Sequence, residues 1–268
     1  MKWDPAQYLR FGDERARPFA DLMSRVGGTS GIDPSYVVDL GCGPGNLTRG
    51  LADRWPGAET EGVDSSAEMI ERAQAEQADG RVRFSLGDVR NWAPSRAVDV
   101  LTSNATLQWV PGHLDLLERL VSFVTPGGWF AFQVPGNFGE PSHTELAALR
   151  TSARWRPVLE GTDVAVPAVD EPVTYVRRLS DLGCRVDGWE TTYLQVLAGE
   201  DAVLEWMKGT GLRPVLSVLD AAQREEFLGE YAERLRAAYP REAFGTVLPY
   251  RRIFVVAQTP SQPPLGPK

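Results

Sequence analysis

The residues with most chemistry to offer stand in Asp39-Leu40-Gly41-Cys42-Gly43-Pro44-Gly45-Asn46. Glycines at alternate positions permit positive φ and let the backbone approach a ligand closely. An acid, Asp39, sits at the entrance of this turn. A second acid, Asp64, ends the apolar run Glu61-Gly62-Val63 about twenty residues after it, and Asp88 and Asn104 close two further runs. A negative charge at Asp39 would repel a pyrophosphate. The spacing G-x-G-x-G also departs from the dinucleotide fingerprint.

A ligand that suits these residues carries a cation, a ribose diol and an amino-bearing ring, as S-adenosylmethionine does. Asp39 would face its ammonium group and Asp64 its ribose. Asp88 would accept from the adenine amino group, with the Val89 backbone pairing the ring nitrogen, and Asn104 would lie beside the sulfonium. Gly41, Cys42, Gly43, Asn46 and Ser65 complete the cofactor contacts; Cys42 also reads simply as a small residue that fits the turn. Tyr8 joins them if the aromatic N-terminal segment folds inward.

The elements that must hold these residues alternate. Strands are expected over 36–40, 59–63, 82–86, 98–103, 129–134, 185–197 and 252–257. Helices fall over 46–54, 66–77, 112–124, 143–155 and 172–182, and 200–240 is helical throughout. Pro44 lacks an N–H and fits a first helical turn. Such alternation predicts an α/β fold, a Rossmann-like, seven-stranded, mostly parallel sheet with helices on both faces. The helices before the last strand, about 140–183 and 200–245, form a cap over the pocket. Residues 1–31 read as a lid with a glycine hinge at Gly27-Gly28, residues 32–258 as the main domain, and 259–268, with its prolines, as a disordered tail.

With 268 residues, 43% hydrophobic and 24% charged, the chain is an ordinary globular protein. Its net charge of −8 weighs against a polyanionic partner such as nucleic acid. Cys42 and Cys184 lie far apart and form neither a metal nor a disulfide pattern. No signal peptide and no membrane-spanning run are visible, so a cytoplasmic location is expected.

Taken together, Asp39-Leu40-Gly41-Cys42-Gly43-Pro44-Gly45, Asp64 and Gly87-Asp88 resemble the S-adenosylmethionine-dependent methyltransferases of the seven-stranded class. Within that class the chain is similar to the trans-aconitate methyltransferases along nearly its whole length. The likeness is carried by Trp3-Asp4-Pro5, Arg90-Asn91-Trp92, Leu107-Gln108-Trp109, Glu140-Pro141 with His143, Thr191-Thr192-Tyr193, Thr210-Gly211-Leu212-Arg213-Pro214 and Arg252. The resemblance implies methyl transfer to a carboxylate of a small tricarboxylate. A carboxylate is already ionised at neutral pH, so no catalytic acid, base or metal is expected. Arg252 and Arg213, with His143 and Tyr193, would read the remaining carboxylates, while Gln108 and Trp109 shape the methyl site; Arg252 fits the family pattern better than Arg251. Other readings are a carboxyl methyltransferase for another polycarboxylate or a carrier-bound acid, and a cofactor-binding fold that only mediates interactions. Oligomeric state is open.

Overall fold

The computed structural model describes residues 12–29, 31–76, 80–160 and 169–261, with side chains from residue 16 onward. Its centre is β1 (Tyr36–Leu40), buried at every position, as expected of a strand covered on both faces. β2 (Glu59–Asp64), β3 (Val82–Leu86), β4 (Val98–Asn104) and β5 (Val124–Pro135) are parallel to it. β6 (Arg185–Leu197), β7 (Arg241–Glu242) and β8 (Gly245–Gln258) complete the sheet in the order β3-β2-β1-β4-β5-β8-β6, with β7 on β8. β8 runs antiparallel to both β5 and β6. The expected seven strands are all present; the two-residue β7 is the addition. Strand order reverses between β1 and β4, so a crevice opens beyond their carboxyl ends, where open α/β sheets bind ligands.

One face of the sheet is covered by the helices His113–Ser122 and Pro172–Asp181, through Leu117, Leu120, Tyr175 and Leu179. The other face carries Gly12–Ser24 and Asn46–Arg54, through Phe19, Leu22, Met23 and Leu51. The described half of the expected lid is therefore a core helix on the sheet, and Tyr8 lies outside the described residues. Pro172–Asp181, expected within the cap, also belongs to the sheet.

The cap proper has its own core. Pro141–Arg150, Arg156–Leu159, Ala202–Lys208, Arg213–Leu216 and Ala221–Ala238 bury Leu146, Trp206, Phe227, Tyr231 and Leu235 together. The stretch 200–240 is three helices, broken at 209–212, where Gly209 and Gly211 fall, and again at 217–220, before the Asp220 cap. β6 and β8 pair from Arg185↔Gln258 to Leu197↔Thr246, longer than the 252–257 expected for the last strand. The outer end of this ribbon places Leu197, Leu248 and Tyr250 in the cap core.

Two other boundaries differ. Pro126-Gly127-Gly128, with the composition of a turn and lying before the strand expected over 129–134, is inside β5, where the register against β4 shifts between Val98 and Val100. The start of the expected tail is pinned there: Thr259 Oγ1 donates to the Thr125 carbonyl at 2.6 Å, and Gly127 N–H donates to Pro260 at 3.0 Å. Residues 262–268 lie outside the described residues. Among the described residues no helix is long and apolar enough to cross a membrane.

The cap's longest helix opens on a reciprocal capping box. The Asp220 carboxylate accepts from Gln223 N–H at 2.9 Å, and Gln223 Oε1 accepts from Asp220 N–H at 3.0 Å. Asp220→Ala should cost about 1 kcal/mol, read as a lower urea midpoint at unchanged slope.

Candidate active site

Gly41, Gly43 and Gly45 have φ of 81°, 55° and 78°. A Cβ on Gly41 would lie 1.9 Å from Thr106 Oγ1, and one on Gly45 would lie 2.4 Å from the Phe84 ring. These outer glycines let the turn pack. A Cβ on Gly43 would meet nothing within 4 Å, and Gly43 lines a cavity. The middle glycine keeps space open for a ligand.

The cavity, about 400 Å³, spans the carboxyl ends of β1 to β5 and is closed by the cap residues Trp206, Thr210 and Gly211. At one end Asp64 lines it, fixed by two amides: Gly43 N–H donates to its Oδ2 at 2.9 Å and Ser66 N–H to its Oδ1 at 2.8 Å. Burial still raises its carboxyl above the ordinary range. Asp39, expected at the cofactor, does not line the cavity; it is buried next to Asp64, 2% exposed. Its Oδ2 accepts from Thr48 Oγ1 at 2.7 Å, while the buried Oδ1 has no partner among the described residues. Burial, with the neighbouring Asp64 charge adding to it, pushes the Asp39 carboxyl up to about 7.

Further along, Asp88 is gripped by Arg90, whose Nε lies 3.0 Å from both carboxylate oxygens; this holds the acid below its usual range. The adjoining Val89 carbonyl accepts from Arg119. Asn104 ends β4, and Ala105 after it has φ 54°, a conformation costly for a residue with a Cβ. Gln108 Nε2 donates to the Ala105 carbonyl at 2.6 Å, leaving its buried Oε1 without a partner.

At the opposite end stands Arg252, 6% exposed. Its guanidinium lies 4.6 Å over the Tyr250 ring, Nη1 donates to Gln133 Oε1 at 3.2 Å, and Nε has no partner among the described residues. Among the described residues no carboxylate pairs with it. Arg251 differs sharply, with Nη2 at 2.6 Å from Glu190 and 2.7 Å from Glu171. His143, edge-on to Phe138, is pushed down to about 4 by burial and is neutral at pH 7.

The cavity gathers Gly41, Gly43, Asp64, Ser65, Asp88, Val89, Asn104, Gln108, Trp109, His143 and Arg252. Other expected residues lie elsewhere. Cys42 is buried against Ile70, Ala73 and Phe84, and Asn46 is exposed. Tyr193 Oη donates to Asp21 on the Gly12–Ser24 helix, and its ring packs on Phe254, so it faces the sheet core and not the cavity. Arg213 opens its short helix away from the lining. Sequence reading missed Trp206, Tyr250 and Gln133. The last had a signal: a lone amide in the apolar run Trp129-Phe130-Ala131-Phe132-Gln133-Val134.

Chemically, the cavity has a buried carboxylate, Asp39, behind the wall at one end and a buried guanidinium, Arg252, on the wall at the other, each with an atom that lacks a partner among the described residues. The open space at Gly43 and the orphaned Asp39 Oδ1 fit the S-adenosylmethionine expected from the sequence.

A family model described as "Methyltransferase domain" matches residues 37–128. A Streptomyces avermitilis protein named trans-aconitate 2-methyltransferase is 53% identical over 259 residues, 95% of this chain and 96% of that one. A Streptomyces coelicolor protein of the same name is 50% identical, covering 96% and 87%. Among solved structures, a complex of the Haloferax volcanii Trm112 methyltransferase activator with a methyltransferase aligns at TM-score 0.57 and 18% identity, over 97% of this chain and 96% of that one. Haemonchus contortus phosphoethanolamine N-methyltransferase 2 aligns at TM-score 0.56 and 16% identity, over 91% and 52%. The likeness to these structures is one of fold.

Gly43→Ala puts a methyl group into the open space at a backbone cost of about 1–2 kcal/mol. It should weaken S-adenosylhomocysteine binding more than about tenfold, or 1.4 kcal/mol, by calorimetry. Gly41→Ala, which collides with Thr106, should lower the melting temperature further than Gly43→Ala does. Undiminished affinity in Gly43→Ala would place the ligand elsewhere.

Proposed function

The chain belongs to the trans-aconitate 2-methyltransferase family, and we propose that it transfers a methyl group from S-adenosylmethionine to one carboxylate of trans-aconitate. The products are the monomethyl ester and S-adenosylhomocysteine. The observation that carries the substrate class is Arg252, a buried guanidinium on the cavity wall without a carboxylate partner among the described residues. A buried cation is costly until paired, and a planar fork of donors matches a carboxylate.

Bound S-adenosylmethionine supplies an electrophilic methyl group on a sulfonium. Everything else falls to the chain. Asp39 is the acid suited to the ammonium group and Asp64 to the ribose diol. Asp88 retains acceptor capacity for the adenine amino group; the Val89 carbonyl is already engaged, which leaves its N–H for the ring. Arg252 holds a carboxylate that does not react. His143, neutral at pH 7, contributes hydrogen bonding without charge. That leaves one carboxylate less compensated, and therefore the better nucleophile. Its oxygen is already anionic and the leaving thioether is neutral, so neither a base nor an acid is required. Trp109, Phe138 and Trp206 line the cavity and exclude water from the attacking oxygen. Alignment of this kind supplies about 7–11 kcal/mol. No observation favours a carrier-bound acid over a free tricarboxylate.

Two measurements test this. Arg252→Ala should raise the KM for trans-aconitate about 10- to 150-fold, the loss of a charged hydrogen bond, while the dissociation constant of S-adenosylhomocysteine moves only a few-fold. Unchanged KM would remove Arg252 from the substrate. The pH dependence follows from Asp39, whose carboxyl titrates near 7. Only its anion attracts an ammonium group, so affinity for S-adenosylhomocysteine should fall about tenfold per unit well below pH 7. It should fall again at higher pH, as the ligand's own amino group loses its proton. Asp39→Asn should abolish the acid limb. Flat affinity between pH 5.5 and 7.5 would dissociate Asp39 from the ammonium.

A further inference from the structure

Gln133 is 1% exposed near the carboxyl end of β5. The residues sharing its side of the strand, Trp129 and Ala131, are core. An amide buried there must satisfy both ends, and it does so across strands. Its Nε2 donates to Asn104 Oδ1 at 2.6 Å, and its Oε1 accepts from Arg252 Nη1 at 3.2 Å. Asn104 and Gln133 are register partners between β4 and β5, and Arg252 on β8 pairs with Pro135, two positions along from Gln133. The main chain adds to this hold, since Ala105 N–H donates to the Gln133 carbonyl at 2.9 Å. The relay thus crosses three neighbouring strands. Both of its ends line the cavity, and its middle does not.

Its polarity is fixed. Arginine is donor-only, so Gln133 must turn its oxygen toward Arg252. Its NH₂ then faces Asn104, which must answer with Oδ1. The Asn104 NH₂ is left for the cavity. A guanidinium at the carboxylate end therefore dictates which face an amide presents at the cofactor end.

We infer that Gln133 is a positioning residue that couples the two halves of the site. A carboxylate held by Arg252 orders the guanidinium, and through Gln133 the donor face of Asn104; by linkage, cofactor against Asn104 favours carboxylate at Arg252. The inference rests on the trans-aconitate reading. A coupling carried by two hydrogen bonds belongs at the low end of the usual range, about fivefold.

The test uses S-adenosylhomocysteine, which permits no turnover. Its dissociation constant is measured by calorimetry with and without saturating trans-aconitate, in the full-length protein and in Gln133→Met. The expected result is about fivefold tightening in the unaltered protein, reduced to no effect in Gln133→Met. A purely structural Gln133 would lower the melting temperature and leave the ratio at five, which overturns the relay. If Gln133→Met does not fold, a cycle between Asn104→Ala and Arg252→Lys reads the same coupling, and strictly additive effects overturn it. Absence of any trans-aconitate binding to the unaltered protein sinks the substrate reading and the coupling with it. Binding whose ratio is indifferent to Gln133→Met sinks the relay alone.

Discussion

Three successive amides of the glycine turn are tied to the end of the neighbouring strand. Gly41 and Cys42 N–H both donate to the Val63 carbonyl, at 2.7 and 3.1 Å, and Gly43 N–H donates to Asp64. This tie fixes the turn's path and the spacing of β1 from β2. It also decides what kind of ligand the turn can serve. Phosphate-binding turns aim their free amides at the anion. Here those donors are spent within the protein, and an acid stands on each side of them. The turn is built for the neutral and cationic parts of a ligand.

The cavity is correspondingly polarised. Asp39 and Arg252 are both nearly inaccessible, each with a buried polar atom lacking a partner among the described residues; Arg252 lines one end of the cavity, and Asp39 is buried next to Asp64, which lines the other. Pairing them with each other would silence both. Held apart, each keeps its desolvation cost until something of opposite charge arrives. The sheet can bear this because the cost is spread over well-packed surroundings: Thr48 beneath Asp39, Tyr250 and Gln133 around Arg252.

Most of the parallel half of the fold was readable from residue order, because each strand there is an apolar run ended by a turn or loop, and all but β3 lead into a helix. The acids at the strand ends were readable for the same reason. Preference for Arg252 over Arg251 came from family pattern; the physical basis is visible only in three dimensions, where Glu171 and Glu190 arrive at Arg251 from 80 and 61 residues away. Tyr193 illustrates the opposite difficulty. Its motif suggested a place near substrate, but strand alternation turns it toward Asp21 and Phe254. Gln133 announced itself as an oddity without saying what it satisfied, since both of its partners are long-range. The β5 boundary was lost because Pro126-Gly127-Gly128 has the composition of a turn, whereas here it occupies an irregular strand start held by Thr259 and Pro260.

The strand order β5-β8-β6 has a consequence for biosynthesis. β8, the last of the described strands in chain order, is not an edge strand; it fills the slot between two strands completed earlier. Until residues 245–258 leave the ribosome, β6 has no partner in the sheet and β5 presents a bare edge. Pairing across that gap is non-local, the slow kind of step in which unpaired edges invite association with other chains. The cofactor-facing half, on β1 to β4, depends on none of this. Arg252 arrives only with β8, so the nascent chain has the acids of the other end in place before it gains the buried guanidinium.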